Sequence, residues 1–187
     1  MNANLLALGA IALWASLAAL GVALSHVPPF LLTGLSLLIG SLIALPLSRF
    51  DWRHWKVPPS TLALGVYGLF GFHFLLFIAL RHAPPVQANL VNYLWPLGIV
   101  VMAPLFLPGV RLTTRHVLAA LIGFAGAALA ILGRGSSGEA VWAWGYIPAL
   151  ASAFIWSSYS LMTKRVTPFP TAAIGSFALV SGVLSLV

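Results

Sequence analysis

The chain has 187 residues, of which 61% are hydrophobic and 6% charged, with a formal net charge of +7. Ordinary soluble domains carry roughly 25% charged residues, so this composition excludes one and places the chain in a lipid bilayer. It contains no cysteine, which excludes thiol catalysis and cysteine-ligated metals.

Seven apolar stretches follow one another, near residues 4–25, 29–48, 60–80, 85–107, 113–132, 141–163 and 169–187. As a helix, each is about as long as the crossing of a hydrocarbon core of roughly 30 Å requires. A helix satisfies its own backbone in lipid, and the alternating segments of a membrane barrel are missing from the sequence. The expected fold class is therefore an all-α membrane protein, a multi-span helical bundle. Short connections make successive spans neighbours.

The first span lacks a basic segment ahead of it and exceeds a signal peptide's apolar core, so it reads as a retained helix. Its Trp14 shares a face with Ala7, Ala10, Ala18 and Gly21, where close helix packing and ligand binding are competing explanations. Proline pairs at 28–29, 58–59 and 84–85 mark the starts of the next three spans, because a missing N–H is harmless in a helix's first turn. Between the second and third spans, RFDWRHWK at 49–56 reads as an interfacial anchor combining cations with Trp52 and Trp55. The third span carries His73 among Tyr67, Phe70, Phe74 and Phe77. A polar group in hydrocarbon is costly and faces the bundle interior or an aqueous cavity. His73 is thus either satisfied by a neighbouring helix or lines a cavity.

The fourth span contains NLVNYLWPLG, residues 89–98. At about 100° per residue, Asn89, Asn92, Tyr93, Trp95, Pro96 and Ile99 share one half of the wheel, opposite a lipid face of Leu90, Leu94, Leu97 and Val101. Pro96 cannot bond to the carbonyl of Asn92, which must find protein, water or ligand. The fifth span is rich in small residues such as Gly123 and Ala127, a pattern that suits close helix packing or dimerisation. GRGSSG at 133–138 matches a nucleotide-binding spacing by accident, since it follows a membrane span and not a strand. In the sixth span Ser152, Trp156, Tyr159, Ser160 and Thr163 form one stripe, with Trp156 and Tyr159 as candidate binding residues.

Charge placement orients the bundle. With the N-terminus in the cytoplasm, Arg49, Arg53, Lys56, Arg111, Arg115, Lys164 and Arg165 lie inside, against Arg81 and Arg134 outside. These charges sit between spans, so no nucleic-acid partner is expected. Four of the five histidines lie near span ends, which offers no metal site, and no cofactor is expected. Gly40-Ser41 with His73 raises an intramembrane serine hydrolase, but no extended serine motif supports it.

Residues 6–20, LALGAIALWASLAAL, align with residues 148–162, PALASAFIWSSYSLM, so that Trp14 falls on Trp156. The same offset carries Pro28 to Pro170 and Gly40 to Gly182. Five spans separate the copies, and an odd number inverts the second across the membrane. Two full copies need about ten spans and roughly 285 residues. The reading is a first repeat at 1–135 and the start of a second at 136–187, in a fragment or a protein completed by another half.

The tryptophan of the first span, FIALRHAPPVQANLVNYLWPLGIVVMAPLFLP and the Gly/Ala-rich LAALIGFAGAALAIL together resemble the EamA repeat of the drug/metabolite transporter superfamily. Within it, NLVNYLWPL, GFHFLLFIAL and IWSSYSLMTKR are most similar to the aromatic amino acid exporters of the YddG type. The resemblance implies ten helices in two inverted five-helix repeats around a central cavity. The loop LPGVRLTTRH lacks the glutamate that many EamA repeats carry there.

The only acids, Asp51 and Glu139, fall in loops, so the spans offer no carboxylate for proton exchange. The reading is a multi-pass exporter of aromatic or amphipathic amino acids in a bacterial-type inner membrane, facilitated and uncoupled, and not an enzyme. Tyr93, Trp95 and Trp156 would wall a ring, with Asn89, Asn92 and His73 at the polar end and Tyr159 and Trp14 as further candidates. A broader drug or metabolite exporter is the alternative, followed by an intramembrane enzyme or a structural subunit.

Overall fold

The computed structural model describes residues 3–132 and 143–187. The GRGSSG segment, Arg134 and Glu139 lie outside the described residues. The helices are α1 (Ala3–Ala23), α2 (Pro29–Leu47), α3 (Pro59–His82), α4 (Pro85–Asn92), α5 (Trp95–Phe106), α6 (Thr114–Leu132), α7 (Tyr146–Met162) and α8 (Ile174–Leu186). Short 3-10 turns at Trp52–Trp55 and Thr171–Ala173 precede α3 and α8. No strand occurs among the described residues. Asn4–Ala23, Pro29–Pro46, Pro59–His82 and Pro85–Phe106 are each long and apolar enough to cross a membrane.

Each expected span becomes helix, and the second proline of each pair is the first residue of α2, α3 or α4. The fourth span differs, because it breaks into α4 and α5 with Tyr93 and Leu94 between them. Pro96 has no N–H for the Asn92 carbonyl, and its ring disfavours helical backbone in the residue before it. The chain bridges the gap with bonds from Tyr93 N to Asn89 O (2.9 Å) and Gly98 N to Leu94 O (2.8 Å).

α3 and α7 form the centre of the bundle, with α2 closely packed on α8. Glycines make these approaches possible. A Cβ on Gly65 would fall inside 3.0 Å of the Phe177 ring of α8, and one on Gly68 would fall inside 3.0 Å of the Tyr159 ring of α7. Gly34 and Gly182 likewise let α2 and α8 meet, where Ser185 Oγ donates to the Phe30 carbonyl at 2.6 Å. Tyr67 and Ser158 hydroxyls lie 2.8 Å apart across α3 and α7.

Two readings of the sequence change here. Trp52 is exposed, as an interfacial anchor should be, but Trp55 is buried and covers Gly175 at the start of α8. Gly123 does not serve close packing among the described residues, since a Cβ there meets nothing within 4 Å. α6 lies mainly along α5, and its small residues leave space there.

Arg165, just beyond α7, donates to the Phe106 carbonyl through Nε and to the Leu105 carbonyl through Nη2 at 3.3 Å. These are the last carbonyls of α5, which have no helical donors and carry the negative end of its dipole. Arg165→Met should therefore lower stability by about 1 kcal/mol. Thermal unfolding in detergent would show a midpoint a few degrees lower for Arg165→Met than for Lys164→Met, whose ammonium has no such acceptors. The same contacts place the basic loop after α7 beside the end of α5, as Trp55 places the 49–56 loop beside α8.

Candidate functional site

Three tryptophans from three helices meet inside the bundle. Trp14 of α1 lies parallel to Trp95 of α5, with ring centroids 6.4 Å apart and planes 7° from parallel. Trp14 also meets Trp156 of α7 edge to face at 5.4 Å and 88°. Trp156 in turn contacts Phe72 of α3 at 4.9 Å and Tyr159 at 5.5 Å. Such pairs bring the positive edge or an offset face of one ring to the negative face of another.

The break in the fourth span brings its residues to this cluster. Asn89, Asn92, Tyr93 and Trp95 line a small cavity with Trp14 of α1 and with Phe72 and Leu76 of α3. Asn92 is buried, and Ser152 Oγ of α7 stands 2.9 Å from its Oδ1 and 2.7 Å from the Ala149 carbonyl. One hydroxyl proton serves only one acceptor. With Ser152 donating to Ala149, an Asn92 amide turned so that its NH₂ faces Oγ satisfies both groups. Ser157 Oγ, 2.8 Å from the Trp95 carbonyl, fixes the first turn of α5 against α7. A Cβ on Gly98 would fall inside 3.0 Å of that same hydroxyl.

The cavity holds about 30 Å³, the share of roughly one water molecule. The Trp14 and Trp95 rings form part of its wall, and Trp156 packs against Trp14. α1 forms a little-buried wall of the cavity: almost none of Asn4–Ala23 is buried within the structure, and Trp14 itself is 48% exposed.

Seven of the eight candidate residues lie in or against this cluster: Trp14, Asn89, Asn92, Tyr93 and Trp95 in the cavity wall, Trp156 against Trp14, and Tyr159 against Trp156. His73 is not brought into it. Its Nδ1 lies 2.7 Å from the Leu69 carbonyl of its own helix, and its ring meets Phe72 and Phe77. α3 presents Phe72 and Leu76 to the cavity instead. Pro96 and Ile99 also leave the face assigned to them, because the break resets the wheel and turns both toward α6. Ser157 and Gly98 are supporting residues the sequence reading passed over, and Ser152, read there as part of the Trp156 stripe, supports Asn92. Their signal is the small and hydroxyl-bearing pattern of α7 opposite a glycine of α5. No cluster able to hold a metal ion occurs among the described residues.

Residues 1–132 match the EamA-like transporter family. The aromatic amino acid exporter YddG of Ancylobacter novellus is 40% identical over 196 residues, covering 98% of this chain and 66% of that protein. The uncharacterized transporter YyaM of Bacillus subtilis is 35% identical over 72 residues, covering 38% of this chain and 23% of that protein. A solved crystal structure superposes with a TM-score of 0.76 at 40% identity, covering 95% of this chain and 62% of that one. The chain thus spans just under two thirds of the length of the exporter it matches.

Proposed function

The chain belongs to the EamA-like transporter family, whose members move solutes across membranes and are not enzymes, and from that premise we propose that it serves the export of aromatic amino acids. The observation that carries this reading is the convergence of Trp14, Trp95 and Trp156 with Asn89 and Asn92 around one neutral cavity. The name of the Ancylobacter novellus relative supports the choice of substrate.

The geometry suggests how a ring enters. Trp14 and Trp95 are parallel with centroids 6.4 Å apart, while a third ring between two others needs about 7 Å, two carbon contacts of roughly 3.5 Å each. A small outward shift of α1 provides that gap. Asn89 and Asn92 offer both amide donors and carbonyl acceptors, so one kind of side chain serves the ammonium and the carboxylate of the substrate. No side chain in the cavity wall carries a formal charge, so binding is weak enough for release. His73 would act from outside the cavity, its Nε2 left as an acceptor when Nδ1 donates to Leu69.

Transport would proceed by alternating access between two inverted repeats, the first at 1–135 and the second beginning at 136. Trp14 and Trp156, equivalent in the repeat, touch each other, and the equivalent helices α2 and α8 pack together. Both contacts suit residues near a pseudo-twofold axis. The chain would lie in the bacterial inner membrane with its N-terminus in the cytoplasm. The described α-helices hold no carboxylate, and Asp51 is occupied in capping the turn at Arg53 (2.9 Å), which favours facilitated, uncoupled movement.

Counterflow of radiolabelled Phe, Trp and Thr in proteoliposomes tests the proposal. Phe and Trp should exchange, and collapsing a pH gradient should leave the rate unchanged. If no amino acid moves, the assignment fails; if exchange strictly requires the gradient, the uncoupled cycle fails.

A further inference from the structure

Two apolar grooves run end to end along the seam between α5 and α6. The larger, about 470 Å³, is walled by Ile99, Val100 and Ala103 on one side and Ala119 and Ala120 on the other, and it opens at Arg111 and His116. The second, about 290 Å³, shares Pro96 and Ala120 with the first and continues to Tyr93 and Phe124. From His116 to Phe124 the seam follows α6 for about 12 Å at 1.5 Å per residue. The groove exists because α6 offers small side chains where α5 passes, as the empty space at Gly123 shows.

The mouth is basic. Arg111 and His116 line it and both are exposed, and exposed Arg115 precedes His116 in the first turn of α6. Among the described residues no carboxylate pairs with them, since Asp51 is engaged with Arg53 and His54. An apolar slot between membrane helices that ends in uncompensated cations at the bilayer surface matches a lipid with a negative headgroup. A soluble anion would leave the slot empty, and a zwitterionic lipid would leave the cations unmatched.

We propose that the α5–α6 seam binds an anionic phospholipid, with an acyl chain in the groove and the phosphate at Arg111, Arg115 and His116. Tyr93 lines both this groove and the tryptophan cavity. The lipid therefore touches a wall of the substrate site from its outer side. The inference stands apart from the export proposal, because lipid retention is read without any transport.

The test is native mass spectrometry of the full chain released from nanodiscs containing equal phosphatidylglycerol and phosphatidylcholine with identical acyl chains. Phosphatidylglycerol should be retained about tenfold over phosphatidylcholine, and an excess of glycerol phosphate should not displace it. Arg111→Gln with Arg115→Gln should bring the ratio close to one. Ala103→Trp, which fills the groove and spares the cations, should lower retention of both lipids. An unchanged ratio in the double variant, undiminished retention in Ala103→Trp, or displacement by glycerol phosphate would each overturn the assignment.

Discussion

Trp95→Ala is expected to reduce the proposed export of Phe and Trp by at least about tenfold while leaving the fold in place. Trp95 supplies one of the two parallel faces between which a substrate ring would lie. Removing it forfeits an aromatic contact worth about 0.5–1.5 kcal/mol beyond area burial, together with about 2 kcal/mol of buried apolar surface. Since 1.4 kcal/mol is a factor of ten, a tenfold loss is the lower bound. The fold should survive because Ser157 holds α5 through the Trp95 backbone carbonyl, which alanine retains. Trp95→Phe should recover most of the activity. His73→Ala should reduce export less than Trp95→Ala, because His73 bonds within its own helix and does not line the cavity. Initial rates in proteoliposomes, normalised to folded protein, decide both comparisons.

Gly65→Leu should do the opposite, destroying stability without touching the cavity. A Cβ at Gly65 would fall inside 3.0 Å of three atoms of the Phe177 ring, and Phe177 is fully buried and cannot swing aside. Overpacking a core commonly destabilises by about 1–3 kcal/mol, and more when the obstructing group cannot move. Separation of α3 from α8 should lower the yield of monodisperse protein and the unfolding midpoint sharply. Gly123→Leu provides the comparison, since its Cβ points into open space and its midpoint should stay near that of the parent. Similar losses in both variants would show that close approach at Gly65 is not what holds α3 to α8.

The span boundaries could be read from the sequence because bilayer thickness fixes helix length and proline pairs mark the starts. Trp14 and Trp156, which align when residues 6–20 are laid on 148–162, meet edge to face in the structure, whereas the sequence left packing and binding as competing explanations for Trp14. What failed was the assumption of one straight axis through residues 85–107. The break at Tyr93 and Leu94 sends Pro96 and Ile99 toward α6, a rotation that no single wheel represents. His73 shows an arrangement the sequence did not specify: a polar side chain in lipid needs a partner, and its own helix supplies one at Leu69. Gly65 and Gly68 went unread because their role depends on which rings lie opposite, Phe177 and Tyr159, both far along the chain and brought near only by tertiary contact.

Fluorine NMR of 5-fluorotryptophan-labelled protein, assigned by single Trp→Phe substitutions and titrated with L-phenylalanine, addresses the ring site itself. Trp14, Trp95 and Trp156 should shift together and saturate at one concentration, while exposed Trp52 and Trp144 should not move. Saturable transport of phenylalanine with all three cluster resonances unmoved would contradict the account.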